Sequence, residues 1–458
     1  MCAHKYDLFS VDDHIVEPAD VWSSRVPAKF RDTAPHVVEE GGREYWLYED
    51  QRTLTMGLNG VAGKPREQWS LEPTRFSDMI PGCYDPRHRS RDLLAAGIRA
   101  SVNFPSLPGF GGRLFAEFKD KELAAVCVRA WNDFILDEWA PAGPEGMFVP
   151  MVIAPLWDPH AATGEIQRCL DKGARALCFV ENAIPLGLPS FWSGFWNPIW
   201  AICAEAELPI CLHVGSSGVS PLKSEDTNFL EPIALGMLGA IMGSINFMLA
   251  PPCHEYPNLK LVWSEGGIGW IPAALERADR QFERHNYWAK VSDTKPSEIF
   301  ERNMWVCMIE EPVGLQFREH VGTHKILWES DYPHSDTPWP KVIEGADEVF
   351  AGVPADEVAQ ITHLNAEKLF RWKMADAALL DEPEIAAWRE SLRADPYAAT
   401  RLLAPPMKGI QHQRGPDLHV GDPCPDMHIG TNMMERCGLP LDASGTCPAG
   451  HHAALAGV

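Results

Sequence analysis

Asp12 and His14 stand two residues apart in the segment Ser10-Val11-Asp12-Asp13-His14-Ile15-Val16-Glu17-Pro18. On a β-strand, side chains at that spacing leave the same face, so this carboxylate and this imidazole can converge on one point. Together they make half of a transition-metal site. Asp13 leaves the opposite face and is expected to orient the following loop instead. Three more strand-like segments end on titratable groups: Leu212-His213-Val214-Gly215, Trp263-Ser264-Glu265-Gly266-Gly267 and Trp328-Glu329-Ser330-Asp331-Tyr332-Pro333-His334. A lone histidine at a strand end is usually a packed or hydrogen-bonded residue. Four such ends in one chain point to a metal centre, where an ion lowers the pKa of bound water and polarises a carbonyl.

These groups need a scaffold that brings strand ends together. The apolar patterning predicts strands over 6–14, 98–104, 147–154, 174–180, 208–214, 259–265, 303–309 and 325–331, with helical stretches between them. Eight apolar strands alternating with helices form the pattern of a (β/α)8 barrel, a TIM barrel, whose active sites gather where the strands end. Long inserted loops interrupt it, above all at 17–91, which contains a predicted hairpin near 44–54. We expect the barrel over residues 1–374, and over 375–458 a helical piece followed by an extended C-terminal arm rich in Pro, Gly and Cys. Packing of that arm on the barrel or on a neighbouring subunit is the favoured reading, because Pro-rich chain orders at low entropic cost.

Of the 458 residues, 45% are hydrophobic, and 40 basic against 63 acidic residues give a formal charge of −23. Such a field disfavours nucleic acid and anionic membrane surfaces as partners. The chain opens with no signal-like segment, and the apolar stretch 233–252 is broken by Gly236, Gly239, Gly243, Ser244 and Asn246. The expectation is a cytoplasmic protein with no membrane partner. Its twelve cysteines are scattered, several of them in apolar runs, as free buried thiols are.

The opening Asp-x-His-x-x-Glu-Pro, Leu-His-Val-Gly, Ser-Glu-Gly-Gly-Ile-Gly-Trp-Ile-Pro, Glu-Ser-Asp-Tyr-Pro-His and Asn365-Ala366-Glu367-Lys368-Leu369-Phe370 together resemble the amidohydrolase-related family. This is the branch that contains aminocarboxymuconate-semialdehyde decarboxylase, and the resemblance covers roughly residues 6–372. It implies a barrel holding one divalent ion on Asp12, His14, His213 and Asp331, with Asp331 also handling the proton of the metal-bound water. Many members open with His-x-His, whereas this chain has Asp12. Zinc is the first expectation, and the harder donor set loosens that preference and admits manganese or iron. The decarboxylases of that branch carry histidine at the end of strand six, where Glu265 stands here. A glutamate can shuttle a proton but repels a substrate carboxylate.

The leading expectation is therefore a hydrolase acting on an amide, lactone or related carbonyl of a small molecule. Asp331 serves as base, and Glu265 or His334 protonates the leaving group. Non-oxidative decarboxylation of an aromatic or unsaturated acid is the alternative, and a non-catalytic binding barrel is the alternative of another class. His334 could equally stabilise its loop by a hydrogen bond, and Glu17 is expected to brace the first loop. Arg113 is a candidate anion holder, while Arg99 lies at the wrong end of its strand. Trp192 and Trp196, with Phe191 and Phe195, are candidates to line the substrate pocket, or equally to pack their loop. His419, Cys424, His428, Cys437, Cys447, His451 and His452 lack the CxxC spacing of a structural metal site. A homodimer or higher homo-oligomer is expected.

Overall fold

The structure is a computed structural model, and it describes residues 5–54, 57–70, 75–218, 228, 230–401 and 411–412. β1 (Leu8–Ile15) is buried along its whole length and pairs in parallel with β5 (Ile98–Pro105). Between them lies the excursion that the sequence placed at 17–91. It folds a small antiparallel sheet from β2 (His36–Glu40), β3 (Arg43–Tyr48) and β4 (Gln51–Leu54). Glu44 fixes that sheet to the chain below it by accepting the backbone N–H of Phe76 at 2.7 Å.

β5 pairs with β6 (Phe148–Val149), and β7 (Met151–Val152) pairs with β8 (Ala176–Val180). Only Pro150 separates β6 from β7. Proline has no N–H to give a ladder, but its carbonyl accepts from Arg175 at 2.8 Å, so the two pieces act as one strand. β8 then pairs with β9 (Ile210–His213), β9 with β10 (Leu261–Ser264), β10 with β11 (Met304–Met308), and β11 with β12 (Ile326–Trp328), all in parallel. The ring closes just past β12. There Asp331 N–H donates to Asp12 O at 2.8 Å, and His14 N–H donates to Tyr332 O at 2.7 Å. This is the eight-stranded barrel expected from the alternation of apolar strands and helices.

The helices start where their caps say they should. Asp85, Asp120 and Asp158 each accept two backbone N–H groups, opening the helices Pro86–Ala95, Lys121–Phe134 and Pro159–Asp171. The stretch Leu230–Leu249 has a mean hydropathy of 1.7, and by length and composition it would suffice to cross a membrane. It packs beside the barrel with a third of that window buried. A Cβ at Gly243 would meet the Trp263 ring at 2.6 Å, so only glycine permits this approach.

Residues 375–401 return to the barrel. Ala375 N–H donates to Arg99 O, Arg99 Nε donates to Ala375 O, and the helix Pro383–Ala394 brings Trp388 Nε1 to 2.8 Å from Asp92 Oδ1. Arg99, which also pairs with Asp7, thus sits at the strand-start end, as its position in the sequence suggested. Of the arm expected beyond 404, only β13 (Gln411–His412) falls within the described residues, and it pairs with β2. His419, Cys424, His428, Cys437, Cys447, His451 and His452 lie outside them.

Candidate metal centre

β1 delivers Asp12 and His14 to the barrel mouth, and both are fully buried. Their register is pinned by Asp13, which turns the other way as the strand alternates. Its Oδ1 accepts from Ser10 Oγ at 3.0 Å, Ser330 Oγ at 2.5 Å and Tyr332 N–H at 3.0 Å, and its other oxygen accepts from Ser101. One buried carboxylate thereby ties β1 to β5 and to the segment that follows β12. From behind, Arg89 Nη2 donates to His14 O at 2.6 Å.

Four of the groups expected from the strand ends meet. His14 Nε2 lies 3.2 Å from His213 Nε2, 3.3 Å from Asp12 Oδ1 and 3.2 Å from Asp331 Oδ1. His213 Nε2 lies 3.3 Å from Asp12 Oδ2 and 3.5 Å from Glu265 Oε2. An ion bound at about 2.0–2.2 Å from nitrogen and oxygen donors separates neighbouring donors by roughly 3 Å. The observed spacing fits that demand. His213 Nδ1 is 2.6 Å from Val214 O, which places the proton on Nδ1 and leaves the Nε2 lone pair facing the other donors.

The electrostatics point the same way. Burial pushes the Asp12 carboxyl well above its usual range, and Glu329, Asp331 and Glu265 add to the effect by repulsion. Burial likewise raises Glu265, Glu329 and Asp331. Burial lowers His14 and brings His213 down to about 3, so both imidazoles are neutral near pH 7. Both oxygens of Asp12 and of Asp331 are buried without a hydrogen-bond partner among the described residues. Unpaired buried carboxylates beside neutral imidazoles are costly unless a cation joins them. The donor set therefore fits one divalent ion.

His334 joins from the loop after β12. Its Nδ1 is 3.1 Å from Asp331 Oδ1, and its ring stacks on His14 at 3.5 Å between centroids. Glu265 and Asp331 have φ of +55° and +52°, which is uncommon for side-chain-bearing residues and clusters at functional sites. Glu265 is held there by its own N–H, 3.2 Å from both oxygens of Glu329. A cleft opens over this group, lined by Leu58, Asn59, Phe110, Glu265, Asp331, His334 and Asp336 among others.

Three expected substrate contacts stand elsewhere. Trp196 is fully buried, donates to Pro189 O and packs among Phe179, Phe191 and Trp200. It serves as core because its loop folds inward onto β8. Trp192 is half exposed and donates to Asn246 Oδ1 at 2.8 Å, away from the cleft. Arg113 opens the helix Arg113–Glu117 and lies against Gly218, where a Cβ would come within 1.8 Å of Nη1. It does not line the cleft described above. Glu17 braces its loop by accepting Ser106 N–H, Leu107 N–H and Trp131 Nε1.

The sequence reading gave no role to Phe110, Asn59 or Glu329. Phe110 lies 4.0 Å from the His213 ring and 4.7 Å from that of His14, roofing both. Glu329 could have been found, since it shares strand parity with Asp331. Phe110 and Asn59 sit on irregular chain and carry no such signal.

Comparison with known proteins gives the fold and site a family. The family profile described as amidohydrolase matches residues 34–372. The chain belongs to the amidohydrolase family. Its β1, with Asp12 and His14, precedes the matched span. The gamma-resorcylate decarboxylase of Rhodococcus jostii (strain RHA1) is 25% identical over 276 residues, 55% of this chain and 78% of that protein. Among solved structures, an amidohydrolase of Mycobacterium avium subsp. paratuberculosis superposes with a TM-score of 0.64 at 20% identity, over 80% of this chain and 99% of that one. A dihydroxybenzoic acid decarboxylase of Polaromonas, solved with manganese and the inhibitor 2-nitroresorcinol, gives 0.52 at 17% identity, over 83% and 99%. The match to decarboxylases moves the weight from hydrolysis, the leading expectation from sequence, to the decarboxylation held as its alternative.

Proposed function

We propose that this amidohydrolase-family protein is a metal-dependent, non-oxidative decarboxylase of a hydroxylated aromatic acid. The observation that carries this reading is the convergence of Asp12, His14, His213 and Asp331 under an open cleft. Its support from relatives is the resorcylate decarboxylase match. We assign these four residues to the ion, with manganese ahead of zinc because two carboxylates make a hard donor set. When bound, the ion supplies a positive charge that holds the substrate carboxylate and neighbouring hydroxyl and offsets the crowded acidic groups.

Asp331 carries the proton. Its carboxyl lines the cleft that would receive the substrate. It delivers that proton to the ring carbon bearing the carboxylate. The ring–carboxylate bond then breaks, carbon dioxide leaves, and the bonding pair restores the aromatic ring. Asp331, now ionised, regains a proton from solvent. His334, against Asp331 Oδ1, steadies that carboxyl. Phe110, over both imidazoles, excludes water from the reacting face. Glu265 orients a substrate hydroxyl instead of meeting a second carboxylate.

Incubating the manganese-loaded protein with 2,6-dihydroxybenzoate, other hydroxybenzoates and 5-carboxyvanillate, while following carbon dioxide, tests this directly. Release from at least one acid is expected. Silence with every acid, together with turnover of an amide or lactone, would return the hydrolase reading. Silence throughout, with no bound metal and no gain on adding one, would favour a binding barrel.

A further inference from the structure

Asn59 occupies the turn Gly57–Gly60 in the excursion between β4 and β5. It is 4% exposed, yet its Nδ2 has no hydrogen-bond partner among the described residues. It lines the cleft above the metal centre. A buried amide donor left without an acceptor costs about 1–3 kcal/mol, so such a group is retained where a ligand completes it. The turn is firmly placed. A Cβ at Gly60 would meet Met79 Sδ at 2.5 Å, and Ala62 N–H donates to Pro333 O at 3.1 Å, on the loop that carries His334.

The other polar side chains on the cleft wall are three carboxyl groups, one imidazole and the hydroxyl of Ser335. Glu265, Asp331 and Asp336 are carboxylates, and no lysine or arginine occurs among the described residues lining it. His334 places Nδ1 against Asp331 Oδ1, so its Nε2, also buried without a partner, presents a lone pair. A substrate oxygen entering this cleft meets, besides the Ser335 hydroxyl, the Asn59 carboxamide, the buried lining amide whose hydrogen has no acceptor among the described residues, while the hydrogen of a hydroxyl finds acceptors on the same wall. A ring hydroxyl satisfies both demands.

We propose that Asn59 selects the substrate by donating a hydrogen bond from Nδ2 to a ring hydroxyl that the ion does not hold. This rests on the reading of the site as a decarboxylase of hydroxylated aromatic acids, and it names the residue that counts hydroxyls. A site built to bond a hydroxyl discriminates strongly against the analogue lacking it.

The test is calorimetric binding of 2,6-dihydroxybenzoate and of 2-hydroxybenzoate to the manganese-loaded full chain, with carbon dioxide followed in parallel. The wild type should prefer the dihydroxy acid. Asn59→Ala should lower that preference about tenfold. Asn59→Asp, which keeps the volume and replaces the donor by an acceptor, should lower it at least as far and covers the case in which the alanine variant does not fold. A preference unchanged within twofold in both variants overturns the inference, as does failure of the wild type to bind either acid. A preference that collapses as expected while no acid loses carbon dioxide upholds Asn59 and removes the decarboxylase reading. Carbon dioxide release with an unchanged preference does the reverse.

Discussion

The backbone N–H of Asp331 donates to the carbonyl of Asp12 at 2.8 Å, so two carboxylates from opposite ends of the barrel sequence are joined through their own main chains. The side chains above that bond cannot separate without opening the ring. The repulsion from Asp331 that, after burial and Glu329, raises the Asp12 carboxyl is therefore built in rather than relaxed away.

Relief of that repulsion should register as stability. Manganese at about a hundred times its dissociation constant is expected to stabilise the fold by about 2.7 kcal/mol. Thermal unfolding with and without chelator reads this as a rise of several degrees. His14→Ala and His213→Ala should lose the metal-dependent part of the rise. A wild-type midpoint indifferent to divalent metals would dismantle the proposed centre.

Asp331→Asn retains the shape of the side chain and removes the transferable proton. Turnover of whichever acid the wild type decarboxylates should fall by about 10²–10⁴-fold, the usual range for a lost general acid. Steady-state kinetics with a circular-dichroism check of folding decide it. Retention of more than a tenth of wild-type kcat would reassign the proton to another group.

Asp13 touches no ligand atom of the cleft, yet its removal should be expensive. Asp13→Ala strands the Tyr332 N–H and the buried hydroxyls of Ser101 and Ser330 at once, and removes a buried countercharge of Arg89. We expect a loss of about 3 kcal/mol or more in chemical denaturation. A loss below about 1 kcal/mol would mean those groups find other partners.

Glu181 gives the fold a pH dependence. Burial pushes its carboxyl up to about 7, despite hydrogen bonds from Ser216 and Ser217. The folded chain keeps this proton where the unfolded chain, at the ordinary 4.5, has released it. The stabilisation is complete below about pH 4.5 and drains away as pH rises through about 7. Between pH 5 and pH 8, Glu181→Gln should gain about 2 to 3 kcal/mol relative to wild type. Parallel denaturation curves across that range, with a constant difference, would contradict it.

What the sequence revealed, and what it hid, follows from periodicity. Strand parity is a local signal, so Asp12 and His14 on one face and Asp13 on the other could be read from three consecutive letters. Parallel pairing in a barrel then forces strand ends together, which is why His213 and Asp331 could be placed hundreds of residues away. Trp192 and Trp196 show the limit. Aromatic residues on a loop serve a pocket or a core equally well, and here Trp196 turned inward because Phe179, Phe191 and Trp200 offered it a dry partner surface. Asn59 lies in an excursion whose folding depends on distant contacts such as Ala62 with Pro333, and no short-range pattern encodes those.

The seam between β1 and the chain after β12 also sets a timetable. During synthesis, the first pair of the proposed metal donors emerges with residue 14 and the last with residue 331. A nascent chain stopped short of that point carries an open sheet and an incomplete coordination shell. With the proposed donor set, complete coordination is reserved for finished, ring-closed molecules, so loading with metal would double as proof of correct assembly.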